Sequence, residues 1–172
     1  MEPQDKSVSI RAWSSGDLLL ESYRYAAGPP GATPPHTHDE YQFCLSLNFP
    51  GENRYRGANV PIPERSLSIV HPGETHSSRD LESRPYETDF RLIYLPVAYL
   101  QQMRNELTGR HAHATAEPFF RESVFHGKPF TRLLAAHTAR EQGANPLEEQ
   151  SLLLHAFSAL LIREGQATPP AA

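Results

Sequence analysis

The sequence predicts a mostly β protein that finishes in helices, and three observations carry that expectation. Proline is abundant, with 16 in 172 residues, and proline belongs at strand edges and turns. From position 8 to position 95, short strand-like runs are broken by Gly, Pro and Asn turns, the rhythm of an all-β barrel or sandwich. Beyond Pro96 the apolar residues recur at helical spacing instead. The length suits one β-domain with a real core and appended helices.

Strands are expected at 18–25, 41–48, 54–56, 66–70 and 86–95. Turn signals separate them at Gly28-Pro29-Pro30-Gly31, Pro50-Gly51-Glu52-Asn53, Gly57-Ala58-Asn59 and Pro72-Gly73. Three helices follow. Pro96 suits the first turn of a helix over 97–107 that stops at Thr108-Gly109. Pro129 opens a second over 130–142, ending at Gly143, and Pro146 opens a third over 147–164. The third carries Glu148 and Glu149 in its first turn and Arg163 in its last, as the helix dipole prefers. Its apolar face, Leu147, Leu153, Leu154, Phe157, Leu160 and Leu161, is wider than a coiled-coil seam. That face either covers the β-domain or, through Leu153 and Leu160, meets a second copy of the chain in a homodimer. The expected division is a β-barrel at 1–95, a helical subdomain at 96–165 and, from 166 to 172, the start of a linker. The closing stretch GQATPPAA has linker composition.

Charge and composition exclude several functions. Lys and Arg total 16 against 20 Asp and Glu, a net charge of −4. The chain has no basic cluster with which to replace counterions on phosphates, so it is not expected to grip DNA or an anionic membrane by itself. No apolar run approaches the roughly 18–20 residues of a membrane span. The start MEPQDKSVSI lacks the apolar core of a signal peptide, which points to the cytoplasm. The single cysteine, Cys44, excludes an internal disulfide and a multi-cysteine zinc site. No Gly-rich phosphate loop, nucleophile elbow or dinucleotide fingerprint is present.

Histidine is where chemistry concentrates, since four of the nine lie between positions 36 and 76. In an extended strand His36 and His38 point the same way, followed at period two by Gln42, Cys44, Ser46 and Asn48. Tyr41, Phe43, Leu45 and Leu47 occupy the opposite face. Either the polar face lines an interior ligand pocket, or the apolar face is interior and the polar one wet. The turn Pro72-Gly73 can return His76 toward that strand. Three converging imidazoles would suit a divalent transition metal. Arg91, in an otherwise apolar strand, could clamp a carboxylate or a sugar diol, or could reach solvent. Trp13 and Tyr23 could supply a stacking wall for the same ligand, or belong to the core. His111 and His113 read as solvated loop residues.

His36-x-His38 followed by the Pro72-Gly73 turn and His76 resembles the two motifs of the cupin superfamily, small double-stranded β-helix barrels. In metal-binding cupins a Glu follows the second His. Here Gln42 and Phe43 stand there, so the acidic ligand is missing and no metal cofactor is required. A narrower resemblance covers residues 15–165. The stretches HTHDEYQFCLSLNFPGENRYRG, SLSIVHPGETHSSRD, YETDFRLIYLPVAYLQQM, FRESVFHGKPFTRLLAAHTAREQ and PLEEQSLLLHAFSALLIREG are similar to the sensor domain of AraC-type transcription regulators. That resemblance implies a cupin-type barrel binding a small effector, helices that dimerise, and a separate C-terminal helix-turn-helix domain that contacts DNA. It implies effector contacts at His76, Ser78 and Arg91, beside the pocket candidates His36, His38, Gln42, Trp13 and Tyr23. The resulting expectation is a non-enzymatic sensor. The alternative is a metal-dependent cupin enzyme, a small dioxygenase or isomerase.

Overall fold

The computed structural model describes residues 7–109 and 117–166. Eight strands come first: β1 (Val8–Ser15), β2 (Leu18–Tyr25), β3 (Tyr41–Ser46), β4 (Gly51–Tyr55), β5 (Ala58–Ile62), β6 (Ser66–Val70), β7 (His76–Arg79) and β8 (Thr88–Leu95). Then come α1 (Val97–Thr108), β9 (Phe119–Phe120), β10 (Val124–His126), α2 (Lys128–Thr138), a 3-10 turn at Arg140–Gln142, α3 (Pro146–Glu164) and β11 (Gly165–Gln166). Two sheets form the barrel. The larger has the order β1-β2-β8-β3-β6-β10 and the smaller β5-β4-β7, with β9 and β11 paired separately. Bridges Gly28↔Arg84, Ala32↔Arg79 and His36↔His76 lay the segment before β3 antiparallel to β7 and its continuation. The fold is a mostly β, cupin-type barrel with three helices packed on it. No helix among the described residues is long and apolar enough to cross a membrane.

Local chemistry sets most boundaries. Gly109, at φ 64°, takes the left-handed position that ends α1. Asn145 caps α3 by accepting from the Glu148 N–H, with Pro146 at its first position. The second helix is shorter than expected, ending at Thr138 and passing through the 3-10 turn before Gly143 at φ 93°. The segment between the first two helices also returns β10 to the barrel, where Phe125 faces Leu67 across the β6 pairing.

Register explains how both faces of the large sheet are used. One row across it reads Glu21, Leu92, Cys44, Ser68, and the next reads Leu19, Tyr94, Gln42, Val70. These residues face the small sheet. The opposite face presents Leu18, Leu20, Tyr41, Phe43, Leu45, Leu67, Ile69, Ile93 and Leu95, all buried. The helices cover it: Phe43 meets the Phe157 ring edge-on at 4.9 Å and Phe120 at 6.1 Å. The apolar face of β3 is therefore core, yet the polar face is not simply wet, because it lines the barrel interior.

One sequence expectation, the dimer contact through Leu153 and Leu160, is corrected here. Leu153 and Leu160 are 1% and 3% exposed and belong to this intrachain core, so neither side chain is free to meet another subunit. The exposed apolar residues of α3 are Leu147, Leu152, Leu154 and Ile162. A face that is apolar all round hides which stripe a sheet will claim.

Candidate functional site

The β bridge between His36 and His76 uses both reciprocal N–H to carbonyl bonds, each 3.0 Å. It brings their rings to 4.2 Å between centroids, with His38 at 4.9 Å from His76. Gly73, at φ 71°, closes the preceding turn and donates its N–H to the His38 carbonyl at 2.8 Å. One ring nitrogen from each of His36, His38 and His76 lies within 4.8 Å of the others.

Each imidazole is oriented the same way. Nδ1 of His36 lies 2.9 Å from the Pro34 carbonyl, that of His38 2.9 Å from Glu40, and that of His76 3.2 Å from Glu74. A carbonyl only accepts, so each Nδ1 carries the proton and each Nε2 offers a lone pair. Gln42 Oε1 sits 2.6 Å from His38 Nε2 and 3.2 Å from His76 Nε2. An amide oxygen facing two lone pairs is repelled unless a metal cation or a proton lies between them or the amide turns its NH2 inward. Three imidazole Nε2 atoms and an amide oxygen thus offer a donor set for a divalent ion, without a compensating carboxylate. Burial, and then the neighbouring His36 and His38, hold the His76 imidazole below its ordinary value.

Beside this cluster opens a cavity of about 310 Å³, lined by Asp17, Leu19, Glu21, Tyr23, Glu40, Tyr94 and Pro96. Tyr94 joins the two, its ring meeting His38 edge-on at 5.5 Å. Tyr23 donates its hydroxyl to Glu21 Oε2 at 2.8 Å. Burial, followed by Glu21, Cys44 and Glu40, pushes the Tyr94 phenol up to about 12. Burial likewise pushes the Cys44 thiol up to about 11, which argues against thiolate chemistry in the barrel.

His36, His38, Gln42 and His76 come together, and Tyr23 lines the adjoining cavity. Ser78 follows His76 by two residues on β7, and its backbone N–H donates to Thr33 Oγ1 at 2.9 Å. Arg91 and Trp13 are corrections. Arg91 stands opposite Ser22 and Leu45, on the helix-covered face, and pairs with Glu141 at 2.9 Å. Trp13 lies opposite Leu20 on that same face, its indole edge-on to the His137 ring at 5.0 Å. Strand parity excludes both from the barrel interior. His111 and His113 lie outside the described residues.

Sequence reasoning missed Glu21, Glu40 and Tyr94 as lining residues. The alternation of β2 held the signal, since Leu19, Glu21 and Tyr23 share a face opposite Leu18 and Leu20. It also missed His137. The His137 Nε2–H is placed 3.1 Å from the carbonyls of both Glu21 and Leu92, which are paired across β2 and β8, and Arg91 Nη1 lies 3.3 Å from its Nδ1. Burial, then Arg91, hold this imidazole down at about 4.

A barrel with a three-histidine cluster beside a cavity, carrying helices on its outer face, defines a cupin-type ligand-binding architecture. The chain belongs to the AraC-like ligand binding domain family, whose sequence model matches residues 19–157. No curated protein matches it. Similar solved structures include a cupin superfamily protein from Desulfitobacterium hafniense DCB-2, with 12% identity and TM-score 0.43, covering 56% of this chain and 84% of that one. A predicted oxalate decarboxylase from Thermotoga maritima is 19% identical with TM-score 0.44, covering 52% and 80%. KdgF from Halomonas sp. is 16% identical with TM-score 0.42, covering 51% and 78%.

Proposed function

We propose that this chain is the effector-sensing and dimerisation part of an AraC-type transcription regulator, acting in the cytoplasm. The observation that carries the reading is the family match over residues 19–157, which spans both the cavity-bearing barrel and the helices. A small molecule in the barrel would press on β2 and β8, whose carbonyls hold His137 of α2 from the other side. To switch anything, it must bind one arrangement of barrel and helices more tightly than another. On this reading a homodimer forms through exposed apolar residues of α3, and DNA is reached only through a separate helix-turn-helix domain. The reading involves neither a membrane nor catalysis. Calorimetry of the purified chain against a small-molecule library tests it. Release of the unchanged hit, with binding weakened by Tyr94→Ala, is the expected result; chemical turnover of the hit would overturn it.

The histidine cluster favours a second reading, a metal-dependent cupin enzyme. Metal analysis of untagged protein discriminates between the two. Stoichiometric iron or manganese together with oxygen consumption would favour the enzyme.

A further inference from the structure

We infer that the ligand of the barrel is an organic cation, an amine or guanidinium compound with an apolar or aromatic portion. This deepens the effector reading above and rests on it. The walls of the cavity carry three carboxylates, Asp17, Glu21 and Glu40, and two phenols, Tyr23 and Tyr94, while no lining residue is Lys, Arg or His. Among the described residues none of the three carboxylates forms an ion pair. The arginines of the strands around the cavity are engaged elsewhere: Arg91 of β8 pairs with Glu141 at 2.9 Å, Arg24 of β2 with Asp89 at 3.0 Å and Arg11 of β1 with Glu141 at 3.2 Å.

The spacing of the carboxylates selects the kind of cation. Among the described residues the histidines alone bring three donor atoms within 4.8 Å, so Asp17, Glu21 and Glu40 do not converge on one point as ligands of a metal ion do. They are spread around a space of about 310 Å³, which suits a molecule with its charge at one end. Glu21 is steadied by the Tyr23 hydroxyl at 2.8 Å, leaving its other oxygen for a donor. The two phenol rings add faces that attract an ammonium or guanidinium group, and Leu19 and Pro96 supply apolar contact. After burial, Glu21 and Glu40 both contribute to raising the Tyr94 phenol, in keeping with their placement around the same space. An anion placed there would meet like charge, and a neutral polyol would leave the carboxylates uncompensated.

The test is calorimetry on the whole chain at pH 7 with chelator present, binding being located by amide NMR shifts at residues 19–23 and 94. The probes are tyramine, agmatine and benzyltrimethylammonium as cations, 4-hydroxyphenylacetate and benzoate as anions, and xylitol as a neutral polyol. At least one cation should bind about tenfold or more tightly than the anion of matching shape, and Glu21→Gln with Glu40→Gln should remove that preference. Anions or xylitol binding in the barrel as tightly as the cations would overturn the charge class and leave the sensor reading standing. A cation preference that survives in the double variant would also overturn it. No barrel shifts from any probe at millimolar concentration would overturn both the inference and the reading beneath it.

Discussion

At Gln42 a single side chain sets the character of the histidine cluster. It occupies the position from which a carboxylate would neutralise a bound ion, with its amide oxygen 2.6 Å from His38 Nε2. Gln42→Glu should therefore tighten Ni²⁺ or Zn²⁺ binding at least tenfold, a change of about 1.4 kcal/mol or more; equal affinities by calorimetry would show that no ion uses this position. Two other histidines are structural. His71 is packed among Tyr55, Tyr41 and Phe120, accepts the Phe120 N–H on Nε2 at 3.0 Å, and is held down at about 4 by burial and then Arg56. His137 is held at about 4 in the same way, by burial and then Arg91, with Glu141 opposing. Both stay neutral in the fold but take up protons on unfolding below about pH 6.5, so the unfolded state binds more protons there. Stability is thus fully present above about pH 6.5 and falls as pH drops toward 4. Between pH 7 and pH 5 each histidine should cost about 2 kcal/mol of unfolding free energy in urea titrations. His137→Gln should remove roughly half of that drop, and an unchanged profile would sink the assignment.

At the scale of elements, α3 has a buried face and an exposed apolar one. Its inner face seats Leu153, Phe157 and Leu160 against the sheet, and Leu160→Ala should cost about 2–5 kcal/mol through the cavity it leaves. Its outer face exposes Leu154 and Ile162, the latter 72% exposed. Leu154→Glu with Ile162→Glu should leave the melting temperature of dilute protein nearly unchanged and convert a dimer to monomer by light scattering. A large loss of folding in that variant would mean that this face is also core. The helices are further tied to the barrel by charge. Glu141 receives Arg91 at 2.9 Å and Arg11 at 3.2 Å, while Arg140 donates to the Ser14 carbonyl of β1 at 3.3 Å and pairs with the wholly buried Glu149 of α3 at 2.7 Å. The Arg140 side chain is partly exposed, but its removal leaves the Glu149 carboxylate buried without its cation, so Arg140→Ala should destabilise by about 1–3 kcal/mol in chemical denaturation.

For the whole molecule, a net charge of −4 predicts that this chain alone shows no specific affinity for promoter DNA in an anisotropy titration at moderate salt. Tight, sequence-dependent binding would place a DNA-reading surface on the chain itself. The order of strands then helices, the Pro-started helices and the pairing of His36 with His38 and His76 were legible in the sequence, because turn chemistry, helix caps and strand parity are local properties. Parity also grouped Tyr41, Phe43 and Leu45 on one face without saying what covers it. What only the tertiary structure decided was which side of the sheet became the barrel interior. That choice sent Arg91 and Trp13 to the helices, buried Leu153 and Leu160, and left Asp17, Glu21 and Glu40 around the cavity. The physical reason is that a strand's alternation fixes which residues share a side, whereas the identity of that side depends on elements distant in sequence packing against it.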